Sequence, residues 1–183
     1  MTPAGGAVVF LTGLSGAGKT TIATALIAAL EADGRPAELI DGDVLRRQAT
    51  AHLGFDTASR EANVRLAAEL AAEHARAGHV VVAALIAPFE HSRRLAREIV
   101  APAAPFLLIY VRTSLEVAEQ RDPKGLYRRA RAGEIRDFTG IDSPYEEPTD
   151  ADLVIDTTTT LVPEAVALIR VALDRALGNV ETA

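Results

Sequence analysis

The chain contains no cysteine and no tryptophan, and of its 19 basic residues only two are lysines. Without cysteine there is no disulfide, no thiol nucleophile and no thiolate zinc site. Aromatic residues make up 4% of the sequence, and no apolar run approaches the length of a membrane span. No basic segment precedes the first apolar run, so no signal peptide is expected. A net charge of −6 argues against general nucleic-acid binding, which requires a basic field.

What is present is a chain of 183 residues that is 49% apolar. That is enough for one domain over 1–183 with a sizeable core, and the expectation is a soluble cytoplasmic α/β protein. The basic residues are 17 arginines plus Lys19 and Lys124. A lysine kept against such an arginine bias suggests that a compact, flexible point charge is wanted at its position.

Residues 13–20 read Gly-Leu-Ser-Gly-Ala-Gly-Lys-Thr and fit G-x-x-x-x-G-K-[ST] without a mismatch. The run Ala7–Leu11 before it is strand-like, and Thr21–Leu30 after it is rich in helix formers. Phosphate binding needs this placement, because backbone N–H groups must converge on the ligand at a helix N-terminus. Gly13, Ser15, Gly16, Ala17, Gly18, Lys19, Thr20 and Thr21 are therefore the expected ATP and phosphate contacts. Lys19 is expected at the β/γ-phosphates and Thr20 at a Mg²⁺ ion.

Strand-like and helix-like segments then alternate, as in a parallel sheet with crossover helices. Strands are expected at about 7–12, 37–41, 80–86, 106–111 and 153–155. Helices are expected at about 19–33, 44–52, 59–76 with Ser59 as N-cap, 89–101 with Arg93, Arg94 and Arg97 solvated, 114–120, and 163–177. The stretch 121–150 is polar and lacks long apolar periodicity, and reads as a lid over the nucleotide. The expected fold is a P-loop kinase-like three-layer α/β/α architecture with a five-stranded, mainly parallel sheet.

Asp41-Gly42-Asp43 ends the second strand, where open α/β sheets bind ligands. Either aspartate suits an acceptor-orienting base or a metal partner, and the triplet also suits a turn with Asp43 capping the next helix. Arg46, Arg60 and Arg65 are candidates for an anion clamp or for solvated helix charge. Phe55 suits base stacking or a loop anchor. The four histidines, His52, His74, His79 and His91, pair with no carboxylate at metal-ligand spacing in the sequence.

Together these segments resemble the adenylylsulfate (APS) kinase family over about 10–156. The resemblance rests on Gly13–Thr21, on Asp41-Gly42-Asp43 with Arg46, on Leu53-Gly54-Phe55, and on Arg60 with Asn63. It rests further on Ile86-Ala87-Pro88-Phe89, Arg121–Tyr127, Phe138–Asp142 and Pro144-Tyr145-Glu146. It implies transfer of the γ-phosphate of ATP to the 3′-hydroxyl of adenosine 5′-phosphosulfate, with Mg²⁺. Asp43, Lys19 and Asp41 are the implied catalytic residues. Arg121 falls on the ATP-adenine side. Asp43, Arg46, Phe55, Arg60, Asn63, Ile86 and Lys124 fall on the acceptor side. The implied partners are ATP and APS, with a homodimer and a functional link to a sulfate adenylyltransferase as further expectations.

The sequence departs from the family pattern at Val44, at Ser59 and Ala62 (two acidic positions) and Leu66 (the last arginine) within the Ser59–Leu66 stretch, and at Ala87, where the family has serine. Alanine cannot carry a phosphoryl group, which leaves direct in-line transfer from ATP. These departures keep open a second acceptor, another small hydroxyl compound. A nucleotide-binding switch is the non-enzymatic alternative, against which stands the absence of an Asn-Lys-x-Asp guanine-reading string.

Overall fold

The computed structural model describes residues 5–48 and 56–178. Its elements run β1 (Ala7–Thr12), α1 (Lys19–Ala32), β2 (Ala37–Asp41), α2 (Gly42–Gln48), α3 (Thr57–Arg76), β3 (Val80–Ala84), α4 (Glu90–Val100), β4 (Phe106–Arg112), α5 (Leu115–Arg121), α6 (Leu126–Arg131), β5 (Leu153–Asp156) and α7 (Val162–Ala176). The five strands form one sheet in the order β2-β3-β1-β4-β5, with every pairing parallel. Parallel strands need crossover helices, and these cover both faces.

The period of two in β1 assigns the two cores. Ala7, Val9 and Leu11 face one way and pack with Leu26 and Leu30 of α1 and Ile169 and Leu173 of α7. Val8 and Phe10 face the other way, against α3 and α4. The buried stripe of α3 is mostly alanine, at Ala67, Ala68, Ala71, Ala72 and Ala75, so its backbone lies close to the sheet. A Cβ on Gly6 would stand 1.9 Å from the Ala75 carbonyl oxygen, so only glycine fits there.

Four expectations need correction. The N-cap of α3 is Asp56, whose carboxylate accepts from Ser59 N at 3.0 Å and from Ser59 Oγ at 2.7 Å. Capping by aspartate uses the free N–H three residues on, so the helix starts before Ser59. The third strand stops at Ala84, and Leu85 onward leaves the sheet. Arg93 is not solvated: it is 2% exposed, and its Nη1 donates to Ala87 O at 2.8 Å. Arg97 is paired too, with Asp152 at 3.0 Å.

The stretch 121–150 is not a purely polar excursion. It contains α6 and a small core of its own, in which Tyr127 and Phe138 meet edge-to-face at 5.0 Å between centroids, beside Leu14, Ala118 and Ala130. Its apolar residues are too few and too unevenly spaced to show as periodicity. No helix among the described residues is long and apolar enough to cross a membrane.

Candidate active site

Parallel strands deliver their carboxyl ends to one side of the sheet. Thr12, Asp41 and Ala84 therefore lead three loops to a common place, next to the point where β3 and β4 diverge on either side of β1. A cavity of about 620 Å³ opens there.

The Gly13–Gly18 loop and the first turn of α1 form one wall. Gly13 is fixed by contact: a Cβ on it would stand 2.3 Å from the Val111 carbonyl oxygen. Gly18 enters α1 at φ 102°, a left-handed conformation that favours glycine. Lys19 Nζ donates to the carbonyls of Gly13 at 2.9 Å and Leu14 at 2.8 Å. Burial pushes its ammonium down to about 8; Asp43 and Asp41 pull the other way, and Lys124 adds to the lowering.

Thr20 Oγ1 donates to Asp41 Oδ2 at 2.8 Å. The other Asp41 oxygen accepts from the backbone N–H groups of Asp43 at 2.9 Å and Val44 at 3.2 Å. Asp41, rather than Asp43, therefore satisfies the opening turn of α2. This leaves the Asp43 carboxylate for the cavity, where it pairs with Lys124 of the lid. Partial burial works against the Asp43 charge. The Lys124 hydrogen bond and the charges of Lys124, Lys19 and Arg47 outweigh it and hold the carboxyl below its ordinary range.

Ser15, Gly16, Ala17, Gly18, Lys19, Thr20 and Thr21 line the cavity, whereas Gly13 is not among its lining residues. Arg46, Arg60, Asn63 and Ile86 line the opposite wall with Asp43 and Lys124. Phe55 lies outside the described residues. Arg65 is not brought to the cavity; it stands 4.0 Å from Glu61 on the outer side of α3. Among the departures from the family pattern, only Ala87 lines the cavity. Ala62 and Val44 are exposed, and Leu66 packs against the α3-side core.

Side-chain bonds from distant segments hold both walls. Arg60 is 6% exposed and donates to Thr139 Oγ1 at 2.6 Å and to the Asp137 carbonyl, tying α3 to the lid. Tyr127 OH donates to Ser15 O at 2.8 Å and pins α6 to the phosphate loop. Arg121 donates to Thr157 Oγ1 and Thr157 O, both at 2.9 Å, and Thr157 Oγ1 donates to Ala17 O at 2.9 Å. Tyr145 OH lies 3.0 Å from Thr12 Oγ1, which donates to Ile86 O at 2.6 Å. Sequence reasoning gave no role to Tyr127, Tyr145 or Thr157. The tyrosines had a signal: two of the three in the chain fall in an otherwise polar lid.

The comparisons with known proteins agree with this geometry. The family model described as adenylylsulphate kinase matches residues 5–156. The chain belongs to the adenylylsulphate kinase family. An adenylyl-sulfate kinase of Paraburkholderia xenovorans is 48% identical over 182 residues, covering 100% of this chain and 97% of that relative. A sulfate adenylyltransferase of Coccidioides immitis is 46% identical over 88% of this chain, a stretch that makes up 28% of the larger protein. Among solved structures, the Mycobacterium tuberculosis APS kinase CysC in complex with AMPPNP and APS superposes with a TM-score of 0.91 at 40% identity, covering 94% of this chain and 99% of that one. The chain is thus a P-loop kinase of this family, and an ATP-using enzyme.

Proposed function

We propose that this chain is one kinase domain that transfers the γ-phosphate of ATP to the 3′-hydroxyl of adenosine 5′-phosphosulfate, releasing ADP and 3′-phosphoadenosine 5′-phosphosulfate. The observation that carries the reading is the single cavity that holds the phosphate loop on one wall and Asp43, Arg60, Asn63 and Lys124 on the other. The 40%-identical relative solved with AMPPNP and APS supports the same two-substrate use.

In this reading the loop N–H groups and Lys19 hold the β- and γ-phosphates. Lys19 turns from the Gly13 and Leu14 carbonyls to the phosphate oxygens and keeps its proton there. Asp43 is held ionised, so it accepts a hydrogen bond from the 3′-hydroxyl and aims its oxygen at the γ-phosphorus. As the new P–O bond forms and the bond to the ADP oxygen breaks, the hydroxyl proton passes to Asp43. Lys124 must leave Asp43 for the hydroxyl to enter, and its charge then faces the anionic substrates. Arg46, Arg60 and Asn63 bind the acceptor, Ile86 borders it, and Arg121 flanks the nucleotide beside Thr157.

Thr20 Oγ1 and Asp41 Oδ2 are hard oxygen donors at the cavity wall, a set that fits Mg²⁺ entering with the nucleotide. When bound, that ion supplies neutralisation of phosphate charge. The joining of such a domain to a longer sulfate adenylyltransferase in a relative supports a functional link to an enzyme that makes APS.

An ADP-release assay run with and without APS tests the reading. Release that depends on APS, with the product phosphorylated at the 3′-oxygen, is the expected result. Release supported equally by other small hydroxyl compounds, or by water alone, would overturn it.

A further inference from the structure

Away from the cavity, the fold assembles a ligand set that the sequence spacing hides. Glu38 lies on β2, an edge strand of the sheet, His74 in the last turn of α3, and His79 just before β3. One donor atom from each lies within 4.8 Å of the others. We propose that Glu38, His74 and His79 bind a divalent transition-metal ion, with Zn²⁺ the best matched.

The chemistry is that of two imidazoles and one carboxylate, the set that zinc, nickel and copper prefer over magnesium or calcium. The present hydrogen bonding is incomplete. His74 Nδ1 lies 2.6 Å from Glu38 Oε2, whereas His79 Nδ1 is 3.7 Å from Glu38 Oε1. That His79 nitrogen is buried and has no hydrogen-bond partner. Buried polar atoms are rarely left so. Ligand atoms on a tetrahedral Zn²⁺ stand about 3.4 Å apart, given bonds of roughly 2.1 Å. The two contacts are to different oxygens of the Glu38 carboxylate: His79 Nδ1 stands near this spacing from Oε1, and His74 Nδ1 would have to open by less than 1 Å from Oε2, so a rotation of the carboxylate accompanies binding through one oxygen.

All three side chains are about one-third exposed, at 39%, 38% and 32%, so water can complete the coordination, while the buried His79 nitrogen is reached from the Glu38 and His74 side. The backbone around them is fixed. His79 N donates to His74 O at 3.2 Å, Ala7 N donates to His79 O at 3.3 Å, and Ala37 pairs with Val80 beside the site. A bound ion would clamp β2 to the end of α3. The site lies at the opposite end of β2 from Asp41, about 10 Å along the strand, so it does not overlap the phosphate wall.

The test is Zn²⁺ titration of chelator-treated protein by calorimetry and thermal denaturation, with millimolar Mg²⁺ present throughout to occupy oxygen-donor sites. Wild type is expected to bind one ion per chain and to gain roughly 5–10 °C in Tm at a hundredfold excess over Kd. His74→Gln and His79→Gln are each expected to weaken binding at least tenfold while kinase turnover in Mg²⁺ stays within twofold, which shows that both remain folded. Failure of wild type to bind, or binding left unchanged by either substitution, would overturn the proposal.

Discussion

On the Gly13–Thr20 wall of the cavity, Lys19 bonds to carbonyls six and five residues away. On the facing wall, Lys124 meets Asp43 across 81 residues of chain and Arg60 meets Thr139 across 79. The first wall is built mainly from a local strand, glycine-rich turn and helix start, with Tyr127 and Thr157 bracing it from afar at Ser15 and Ala17. The second exists only when α2, α3 and the lid have all been placed by the sheet. Damage to the first should therefore act on nucleotide binding and chemistry with little effect elsewhere, whereas damage to the second should spread into lid order and stability.

The largest separation of the two is expected from Lys19→Ala. In the proposed reading Lys19 meets the transferring phosphate, so its loss should lower kcat/KM by about 10³-fold, measured by ADP release. The melting temperature should hardly move, because burial already disfavours the Lys19 charge in the folded protein.

Arg60→Ala probes the facing wall. It leaves Thr139 Oγ1 and the Asp137 carbonyl without their charged donor, at a cost of about 2–4 kcal/mol. Thermal denaturation should show a fall of roughly 5–15 °C. The KM for APS should rise by at least tenfold, with a smaller change in that for ATP.

The comparison can be sharpened by pH. Lys19 is pulled from 10.5 to about 8 in the folded, ligand-free protein. Between these values the unfolded chain holds a proton that the native state has lost, so this group favours folding more as pH rises through that window. Phosphate oxygens restore the proton, so nucleotide binding runs the other way. ADP affinity, measured by calorimetry, should be flat below pH 8 and fall by up to about tenfold per pH unit above it.

The sequence made the first wall legible for the same reason that it is robust. Gly13–Thr20 carries its glycines, lysine and threonine at fixed offsets between a strand and a helix, so composition and order are enough. The sheet was legible too, since Val80–Ala84 and Phe106–Val111 are apolar on both faces. On the second wall residue type and position marked Asp43, Arg46, Arg60 and Lys124 only as candidates beside bland alternatives, and family resemblance was needed to join them into one site. Nothing local joins Asp43 to Lys124, and an Asp41-Gly42-Asp43 turn does not reveal that Asp41 takes the capping role and leaves Asp43 to the cavity. Asp56 was passed over as the cap of α3 because Ser59, three residues on, is an equally good capping type. Arg93 looked solvated because a buried arginine bound to a backbone carbonyl has no sequence signature. Glu38, His74 and His79 converge only after β2 and β3 pair in register.

The measurement that bears most directly on a cavity with two separable walls is Asp43→Ala, with APS-dependent turnover and ADP affinity determined on the same preparation. Turnover is expected to fall by about 10³-fold if Asp43 orients the acceptor oxygen as proposed, with the ADP Kd within threefold of wild type. Turnover within tenfold of wild type, or an ADP affinity lost in parallel with turnover, would contradict the account.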